Sequence, residues 1–405
     1  MSDQVHLGVA NYRKDSYIVI AGQQKSECFF IVQQGKVGLS RGFSDSASKS
    51  EVLVAGDFFG VVSAMSSLSQ IESAVALTDV SVITVRPNQH APLIQKNSQV
   101  AVKILKQLSS RLRYLDEALT SLSLKNGKKI EQDDPSLLFV VGEYHIRQKH
   151  YKQAFYAYAK YLEHCPNGER REMAAKRLED LSGRAGEMRT HAKSEVNRNY
   201  QKDEMLFAEG EFGDEFFVIQ SGSVKISKII DNKEVLLTTL TAGDIFGEMA
   251  LLESKPRAAS ALASENCAVM AVNKANFELM IKTQPQLISK LTTLLSSRIW
   301  FTFKQLEVAL MTSPLGKMYG ALLIQLEKDK VDLNGNTAHV FSVRWSDLVK
   351  MLGYTEKDGF ILMGELVKDK NIQVLEDKVR IASAKKLVRQ ADVYREIDAR
   401  KKKKR

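Results

Sequence analysis

The segment FGEMALLESKPRAASA, residues 246–261, places one acid and one base around a short turn that contains glycine. Gly247 permits a close backbone approach, and small apolar residues after it begin a short helix. The free amides of a helix start and the guanidinium of Arg257 would together form an anion site. Glu248 would repel a bare phosphate, but it can accept hydrogen bonds from hydroxyl groups. The segment therefore predicts a ligand with both a phosphate and sugar hydroxyls, as in a nucleotide.

This segment resembles, position for position over FGExALLxxxPRAAS, the phosphate-binding cassette of the cyclic nucleotide-binding domain family. The resemblance implies that Glu248 binds the ribose 2′-hydroxyl and that Arg257 binds the exocyclic phosphate oxygens. A threonine directly after the arginine favours guanine in this family, and this chain has Ala258 there. The implied effector is therefore cyclic AMP, with another cyclic nucleotide as the alternative. An ordinary surface ion pair is the other interpretation of Glu248 and Arg257.

An altered version of the segment, FGVVSAMSSLSQIESA, occurs at residues 59–74. The motifs AGDFFG and AGDIFG begin at Ala55 and Ala242, which are 187 positions apart. The same offset holds without a gap over roughly a hundred residues, and such a register indicates an internal repeat. The sequence therefore predicts that one domain has been duplicated.

The first copy lacks the charged residues of the second. Val61 stands in place of the acid, Ser69 in place of the proline, and Gln70 in place of the arginine. A charge-assisted contact to phosphate contributes about 1.5–3 kcal/mol, so ordinary cyclic nucleotide binding should be largely lost. We expect a degenerate cyclic nucleotide-binding-like domain, and a different ligand bound through the serine hydroxyls of this segment is the alternative.

Within each copy, short β-branched and aromatic runs such as FFVIQ, SVKIS and VLLTTL are separated by Gly, Asp and Asn. This texture predicts a compact antiparallel barrel or jelly roll. A long amphipathic helix follows each copy, and the apolar stripe of the second suits core packing and a dimer seam equally well. That stripe consists of Ile288, Leu291, Leu295, Ile299, Thr302, Leu306 and Ala309.

Residues 135 to about 182 change to a helical texture between the two copies. They resemble one tetratricopeptide unit, in which small residues let two helices approach closely and a proline ends the second. The matching positions are Gly142, Tyr151, Ala154, Tyr158 and Pro166. One such unit cannot bury its apolar face alone. It must pack on a barrel, on a second chain or on a protein partner, and both a helical spacer and a docking platform remain open.

The C-terminal third predicts a further small domain. Thr312-Ser313 before Pro314 indicates a capped helix start, and the helix runs to about Lys328. A strand at HVFSV, helices at RWSDLVKML and TEKDGFILMGELVKDK, and a strand pair at IQVLED and KVRIAS follow. Helix, turn, helix and β-hairpin in this order are typical of a winged helix-turn-helix.

A barrel, a long helix and a winged helix in succession resemble the Crp/Fnr regulators over residues 200–383. The resemblance implies a homodimer in which a cyclic nucleotide biases a hinge near Thr312 and so orients two DNA-reading helices. In these regulators the long helix carries a hydroxyl that meets the adenine amino group. The register from Gln284-Pro285 places Thr302 there, and a polar residue tolerated in a helix seam is the alternative. The implied ligand contacts are Gly247, Glu248, Met249, Ala250, Arg257, Ala258, Ala259, Ser260 and Thr302.

The recognition helix departs from that family. Major-groove readers favour Arg, Lys, Asn or Gln, whereas this chain presents Glu356, Lys357 and Asp358 before an apolar run. Residues 355–370 contain four acids and three bases, a composition that argues against direct base readout. The tail, residues 384–405, has ten Lys or Arg against three acids. It could supply nonspecific phosphate contacts or form a solvated, frayed terminus.

Composition limits the remaining functions. The chain has 405 residues and a net charge of +10, most of which lies in the tail. Its three cysteines stand alone, so reduced structural thiols are expected. No apolar run suits a membrane span or a signal peptide, which indicates a soluble cytoplasmic protein. No Walker loop, catalytic triad order or metal-spaced His and Cys occurs, so neither an enzyme nor a metal site is predicted.

These observations predict a multidomain α+β protein with five segments. They are a degenerate domain at 1–125, a tetratricopeptide-like segment at 126–195, a cyclic nucleotide-binding domain at 196–311, a winged helix-turn-helix at 312–383 and the basic tail at 384–405. The first functional hypothesis is a homodimeric, cyclic AMP-responsive transcription regulator that binds DNA. The second is a signalling adaptor or regulatory subunit that binds a protein partner through the tetratricopeptide-like segment and the winged helix.

Overall fold

The computed structural model describes residues 7–22, 26–40, 51–123, 134–186, 191–192, 194–230 and 232–402. The chain divides into two compact units. The first comprises Met1–Asp116 and Lys128–Trp300, and the second comprises Glu117–Gly127 and Phe301–Arg405. The first unit contains both sequence repeats, and the second contains the C-terminal third. The predicted boundary at residues 125 and 126 and the last three residues of the basic tail lie outside the described residues.

The first repeat forms two antiparallel sheets around one core. Its strands are β1 Gly8–Tyr12, β2 Tyr17–Val19, β3 Phe29–Gln34, β4 Val37–Ser40, β5 Glu51–Leu53, β6 Phe58–Phe59, β7 Ser73–Ala76 and β8 Val80–Val85. Its helices are α1 Val61–Ser66, α2 Pro87–Lys96 and α3 Ser98–Ser123. The sheets have the strand orders β1-β8-β3-β6 and β2-β7-β4-β5. Alternate residues of both sheets, among them Phe30, Val37 and Val82, share the buried core.

The segment between the repeats contains three helices, α4 Leu137–Arg147, α5 Tyr151–His164 and α6 Arg171–Leu181. Gly142 lets α4 and α5 approach closely, because a Cβ at this position would lie 2.8 Å from the ring of Tyr158. The apolar face of the hairpin is buried against the second repeat, where Met205, Ile229 and Leu262 join the same core. The second repeat therefore covers the apolar face of this helical segment, as one of the three predicted arrangements requires.

The second repeat has the same topology as the first. Its strands are β9 Asn197–Tyr200, β10 Met205–Phe207, β11 Glu215–Ser221, β12 Ser223–Ile230, β13 Lys233–Thr241, β14 Ile245–Phe246, β15 Ser260–Ala263 and β16 Cys267–Asn273. Its helices are α7 Glu248–Glu253, α8 Lys274–Thr283 and α9 Pro285–Ala309. The sheet orders are β9-β16-β11-β14 and β10-β15-β12-β13. Helices α7 and α8 begin 187 positions after α1 and α2, so the sequence offset is also the structural one.

The barrel of the predicted barrel or jelly roll is not a closed one in either repeat. Among the described residues, no hydrogen-bonded strand pair joins the two sheets of a repeat, and each sheet ends at two open edges. The strands next to the cassette turns, β6 and β14, are only two residues long and lie at an edge of their sheets. Each repeat is therefore a two-sheet sandwich, which is the jelly-roll alternative of the prediction.

The second unit combines helices with a three-stranded sheet. Its elements are α10 Pro314–Lys328, β17 His339–Arg344, α11 Trp345–Met351, α12 Glu356–Leu366, β18 Ile372–Leu375, β19 Lys378–Ile381 and α13 Ala384–Lys402. The sheet order is β17-β19-β18, and Phe341, Leu348 and Leu366 contribute to the buried core. The predicted cap is confirmed, since the Ser313 hydroxyl accepts a hydrogen bond from the Gly316 amide at the start of α10.

The basic tail is a helix rather than a frayed end over its described residues. Helix α13 packs on α10, and Leu387 and Ala391 are buried in the core of the unit. Near its C-terminal end the helix leaves Ile397 exposed and buries Asp398 instead. Asp398 accepts hydrogen bonds from the amide and the hydroxyl of Thr312, both at 2.7 Å, which satisfies polar groups just before α10.

Candidate functional site

The turn that leads into α7 brings the two ends of the predicted cassette together. Gly247 has φ 79°, a left-handed conformation that favours glycine. A Cβ at this position would also lie 2.6 Å from Nη1 of Arg257. Glu248 is the first residue of α7 and is 1% exposed. The glycine is therefore required by its backbone angle and by the close approach of the arginine.

Arg257 lies beneath this turn with its guanidinium buried. Its Nη1 donates a hydrogen bond to the carbonyl oxygen of Gly247, and its Cζ lies 4.2 Å from the ring centroid of Phe207. Arg257 Nε is buried and has no hydrogen-bond partner among the described residues. A buried donor without an acceptor is costly, so this nitrogen is suited to an anionic ligand.

The backbone on either side of Arg257 is held by a neighbouring loop. The Arg257 amide donates to the carbonyl oxygen of Glu211 at 2.8 Å, and its carbonyl oxygen accepts from the Gly210 amide at 2.9 Å. The Glu211 carboxylate in turn accepts a hydrogen bond from the Tyr156 hydroxyl at 2.9 Å. Tyr156 belongs to α5, so the helical segment between the repeats supports the loop that positions the arginine.

Burial shifts the titration of this group of residues. Desolvation lowers the pKa of Arg257, and the nearby Glu211 carboxylate opposes this shift. Burial beside the same carboxylate raises the pKa of Tyr156 well above its usual value, so its hydroxyl stays protonated and remains a donor. Arginine is a strong base and stays cationic near neutral pH. The site therefore offers a permanent positive charge in a desolvated setting.

Glu248 is paired with an arginine that sequence reasoning missed. Arg298 of α9 donates from Nη1 to Glu248 Oε1 at 3.0 Å. The sequence repeat could have indicated this arginine, because it aligns Ser109-Ser110-Arg111 with Ser296-Ser297-Arg298. The shared arginine gave no indication of its partner, since the acid that it meets differs between the two repeats.

The remaining predicted residues differ in burial and in their hydrogen-bond partners. Met249, Ala250 and Ala259 are buried beside the turn, whereas Ala258 is half-buried. The Ser260 hydroxyl accepts a hydrogen bond from the Glu209 amide at 2.9 Å, so it has a structural partner. Thr302 lies in α9 but belongs to the second unit, and its adenine contact stays a prediction.

The first repeat has the same turn but a different charge arrangement. Gly60 has φ 76° and precedes α1, as Gly247 precedes α7. Here the Gly60 amide donates to Glu72 Oε1 at 2.7 Å, and Arg111 Nη1 donates to Glu72 Oε2 at 2.7 Å. Gln70, at the position of Arg257, is buried and its Oε1 has no partner among the described residues. A carboxylate of the chain itself thus occupies the turn of the first repeat.

Metal ligands, thiols and apolar helices were also compared in the described part of the chain. No group of three or more His, Cys, Asp or Glu side chains could hold a metal ion there. Cys28, Cys165 and Cys267 are free thiols, and burial raises the pKa of each, that of Cys267 to about 11. None of the described helices combines the length and hydropathy that a membrane span requires.

Known proteins match this chain in both repeats. The cyclic nucleotide-binding domain family matches residues 9–97 and 197–284. The CRP-like cAMP-activated global transcriptional regulator of Mycobacterium tuberculosis is 23% identical over 194 residues, 48% of this chain and 87% of the relative. The cAMP-dependent protein kinase regulatory subunit of Debaryomyces hansenii is 42% identical over 82 residues, 20% of this chain and 18% of the relative.

Among solved structures, a CooA mutant from Carboxydothermus hydrogenoformans is similar over 48% of this chain and 87% of its own, with 16% identity and a TM-score of 0.41. The family matches coincide with the two sandwiches and with their cassette turns. The chain therefore contains two cyclic nucleotide-binding domains, the first repeat and the second repeat.

Proposed function

We propose that the second domain binds cyclic AMP and that the protein is a cyclic AMP sensor. The observation that carries this proposal is the buried Arg257 guanidinium beside the turn at Gly247, whose Nε has no hydrogen-bond partner in the part of the chain that the structure describes. A cyclic phosphate at this turn would supply the missing acceptor and neutralise the buried charge. The first amides of α7 would add donors to the same phosphate.

Glu248 and its neighbours would read the rest of the nucleotide. A carboxylate accepts hydrogen bonds at both oxygens, so Glu248 can bind the ribose 2′-hydroxyl while Arg298 supplies its counter-charge. Ala258 offers no hydroxyl to a guanine base, which favours adenine. Both curated relatives described above carry cyclic AMP in their names, which supports the same nucleotide.

The first domain is proposed to bind no cyclic nucleotide. Glu72 accepts from the Gly60 amide, the counterpart of an amide that the second domain would offer to phosphate. The second domain has Ala259 at the position of Glu72, so its turn contains no such carboxylate. A bound phosphate in the first domain would meet the negative charge of Glu72 and would lack the arginine that Gln70 replaces.

For the output, the first candidate is a Crp/Fnr-like transcription regulator. The order of helix, strand, two helices and hairpin in the second unit supports a winged helix-turn-helix, with α12 as the recognition helix. The Mycobacterium tuberculosis relative is a transcriptional regulator and spans 48% of this chain. Lysines and arginines on α13 would contact phosphate groups of DNA.

A second candidate output is favoured by the surface of α12. Phe360 and Ile361 are 73% and 62% exposed, and the same helix carries Glu356, Asp358 and Glu365. An acidic surface with exposed apolar side chains suits a protein partner better than a polyanion. A signalling adaptor or regulatory subunit would use this surface and the tetratricopeptide-like segment.

Binding of cyclic AMP and of its 2′-deoxy analogue to the wild-type chain and to Glu248→Ala tests the sensor proposal. The wild type should prefer cyclic AMP by about tenfold or more, because Glu248 pairs with the hydroxyl, and the variant should lose this preference. Cyclic GMP should compete more weakly than cyclic AMP in the wild type. Equal binding of the two adenine nucleotides by the wild type would remove the role assigned to Glu248.

A DNA pull-down with sequencing, with and without cyclic AMP, separates the two outputs. An enriched sequence motif supports the transcription regulator. Uniform weak binding that disappears at moderate salt reflects only phosphate contacts of the basic tail and supports the adaptor. The variant Phe360→Ser should leave such nonspecific binding unchanged, because it alters no charge.

A further inference from the structure

The two cyclic nucleotide-binding domains contact each other within the first unit, and their contacts recur with exchanged roles. The guanidinium of Arg113 in α3 lies 3.4 Å from the carbonyl oxygen of Pro256. Conversely, Nε1 of Trp300 in α9 donates to the carbonyl oxygen of Ser69 at 2.9 Å. Arg113 precedes Trp300 by 187 positions, and Ser69 precedes Pro256 by the same number. Each long helix therefore donates to the cassette of the other domain from the same position.

Contacts of this reciprocal kind define a two-fold relation between the domains, as in an isologous dimer. Helix α2 also contacts α8, and these two helices are equivalent in the repeat. An element that contacts its own counterpart lies close to such an axis. A two-fold pair of this type ordinarily requires two chains, whereas here both halves belong to one chain.

The contact from the first domain is stronger than its counterpart. Arg113 also donates from Nε to Glu253 Oε2 at 2.9 Å, and the Ser109 hydroxyl donates to the other oxygen of the same carboxylate. Arg113 and Glu253 are 5% and 7% exposed, so the ion pair is desolvated. In the first domain, Ser66 stands at the position of Glu253, and Trp300 carries no charge.

These contacts hold the cassette directly before its arginine. Glu253 is the last residue of α7, and Pro256 immediately precedes Arg257. Arg113 therefore spans the short loop that connects the helix amides to the phosphate-binding guanidinium. A shift of this loop would move Arg257 relative to Gly247, and a misplaced binding group reduces affinity.

We infer that the degenerate first domain is the built-in partner of the second in an intramolecular pseudo-dimer, and that Arg113 is a positioning residue for the cyclic nucleotide site. This inference rests on the proposed function of the second domain. It also gives the first domain a role without a ligand of its own. The Glu72–Arg111 pair joins the turn of the first domain to α3. Helix α3 in turn contacts the cassette of the second domain through Arg113.

Cyclic AMP titrations of the full chain with Arg113→Met and Trp300→Phe test this inference. Trp300→Phe loses one donor between the domains, and Arg113→Met loses those to Pro256 and Glu253. Only Arg113→Met releases the cassette of the second domain. We expect Arg113→Met to weaken cyclic AMP binding by about tenfold or more and Trp300→Phe to change it by less than about twofold. Arg113→Lys, which keeps the charge without the planar fork, should give an intermediate affinity. The molar ratio of bound nucleotide reports that each variant is folded.

Three results would overturn the inference and leave the proposed function intact. Wild-type affinity in Arg113→Met, or an equal loss in both variants, would show that Arg113 does not position the cassette. An Arg113→Lys variant no better than Arg113→Met at an unchanged molar ratio would also contradict the role of the charge. A wild-type chain that binds no cyclic nucleotide would instead overturn the proposed function, and this inference with it.

Discussion

Among single residues, the acid near the cassette turn distinguishes the two domains, because it stands at different positions of the repeat. The second domain has Glu248 at the first position of the cassette helix, paired with Arg298. The first domain has Glu72 eleven positions further along the repeat, paired with Arg111 at the equivalent helix position. The arginine of the long helix is common to both domains. Its acidic partner is the first residue of the cassette helix in the second domain and the acid that accepts from the Gly60 amide in the first.

Arg257→Lys should reduce cyclic AMP affinity by about ten- to a hundredfold. Lysine keeps the charge, but it cannot donate in the bidentate geometry of a guanidinium or stack in the same way on Phe207. Fluorescence competition against a labelled cyclic AMP analogue would measure the change. Gln70→Leu, at the equivalent position of the first domain, is the matched control and should bind like the wild type. Equal losses in both variants would contradict the assignment of the site to the second domain.

Glu72→Ala should destabilise the first unit without creating a nucleotide site. The substitution leaves the buried Arg111 guanidinium and the Gly60 amide without this acceptor, and breaking a buried pair costs about 3–5 kcal/mol. Thermal unfolding would therefore begin at a lower temperature than in the wild type. Glu27→Ala, at an exposed acid of the same domain, provides the control. An unchanged unfolding curve for Glu72→Ala would show that the turn is held by other contacts.

At the scale of elements, the repeat in the sequence predicted more than any single pattern. Its offset of 187 positions identified equivalent helices and turns in both domains, and the structure has them at the same offset. The sequence did not decide between a barrel and a jelly roll, because alternation in a strand indicates a buried face but not which edge pairs with which. The pairing of Glu72 with Arg111 and the contacts of Arg113 were also missed, since they join residues distant along the chain.

The second unit contains one carboxyl group whose titration can be followed. Burial raises the pKa of Glu327 in α10 to about 7, Lys304 and Arg395 oppose the shift, and Glu307 adds to it. The folded pKa lies above the unfolded value, so the associated stability is full below about pH 4.5 and is lost as the pH rises through about 7. The second unit should therefore be less stable at about pH 8 than at about pH 5.

Glu327→Gln should reduce the difference in unfolding free energy between about pH 5 and about pH 8 by up to about 3 kcal/mol. Urea unfolding can be followed through Trp345 in a Trp300→Phe background, because the chain has only these two tryptophans. Glu356→Gln, at an exposed acid of α12, should retain the wild-type dependence. If the unfolding free energy of Glu327→Gln changed with pH as it does in the wild type, a different group would be responsible for the pH dependence.

At the scale of the whole molecule, the Crp/Fnr resemblance implied a homodimer, whereas the apolar stripe of α9 is already covered within one chain. Ile288, Leu291, Leu295 and Ile299 are at most 3% exposed in the single chain. An intramolecular pseudo-dimer also has one C-terminal unit for two cyclic nucleotide-binding domains. If α12 reads DNA, the enriched motif should be one half-site rather than an inverted repeat.

The pseudo-dimer predicts a monomeric protein in solution. Light scattering coupled to size exclusion should give the mass of one chain, 45.4 kDa, both with and without cyclic AMP. The physical reason is that the surfaces of a two-fold pair are already occupied within the chain. Twice this mass at micromolar concentration would restore the homodimer and contradict the pseudo-dimer.

We propose that one of the two domains binds cyclic AMP and that the other is closed by its own carboxylate. Isothermal titration calorimetry of the full chain measures this directly as the number of molecules bound per chain. We expect one cyclic AMP per chain, with binding lost in Arg257→Gln and retained in Gln70→Ala. Two molecules per chain, or one that persists in Arg257→Gln, would contradict it.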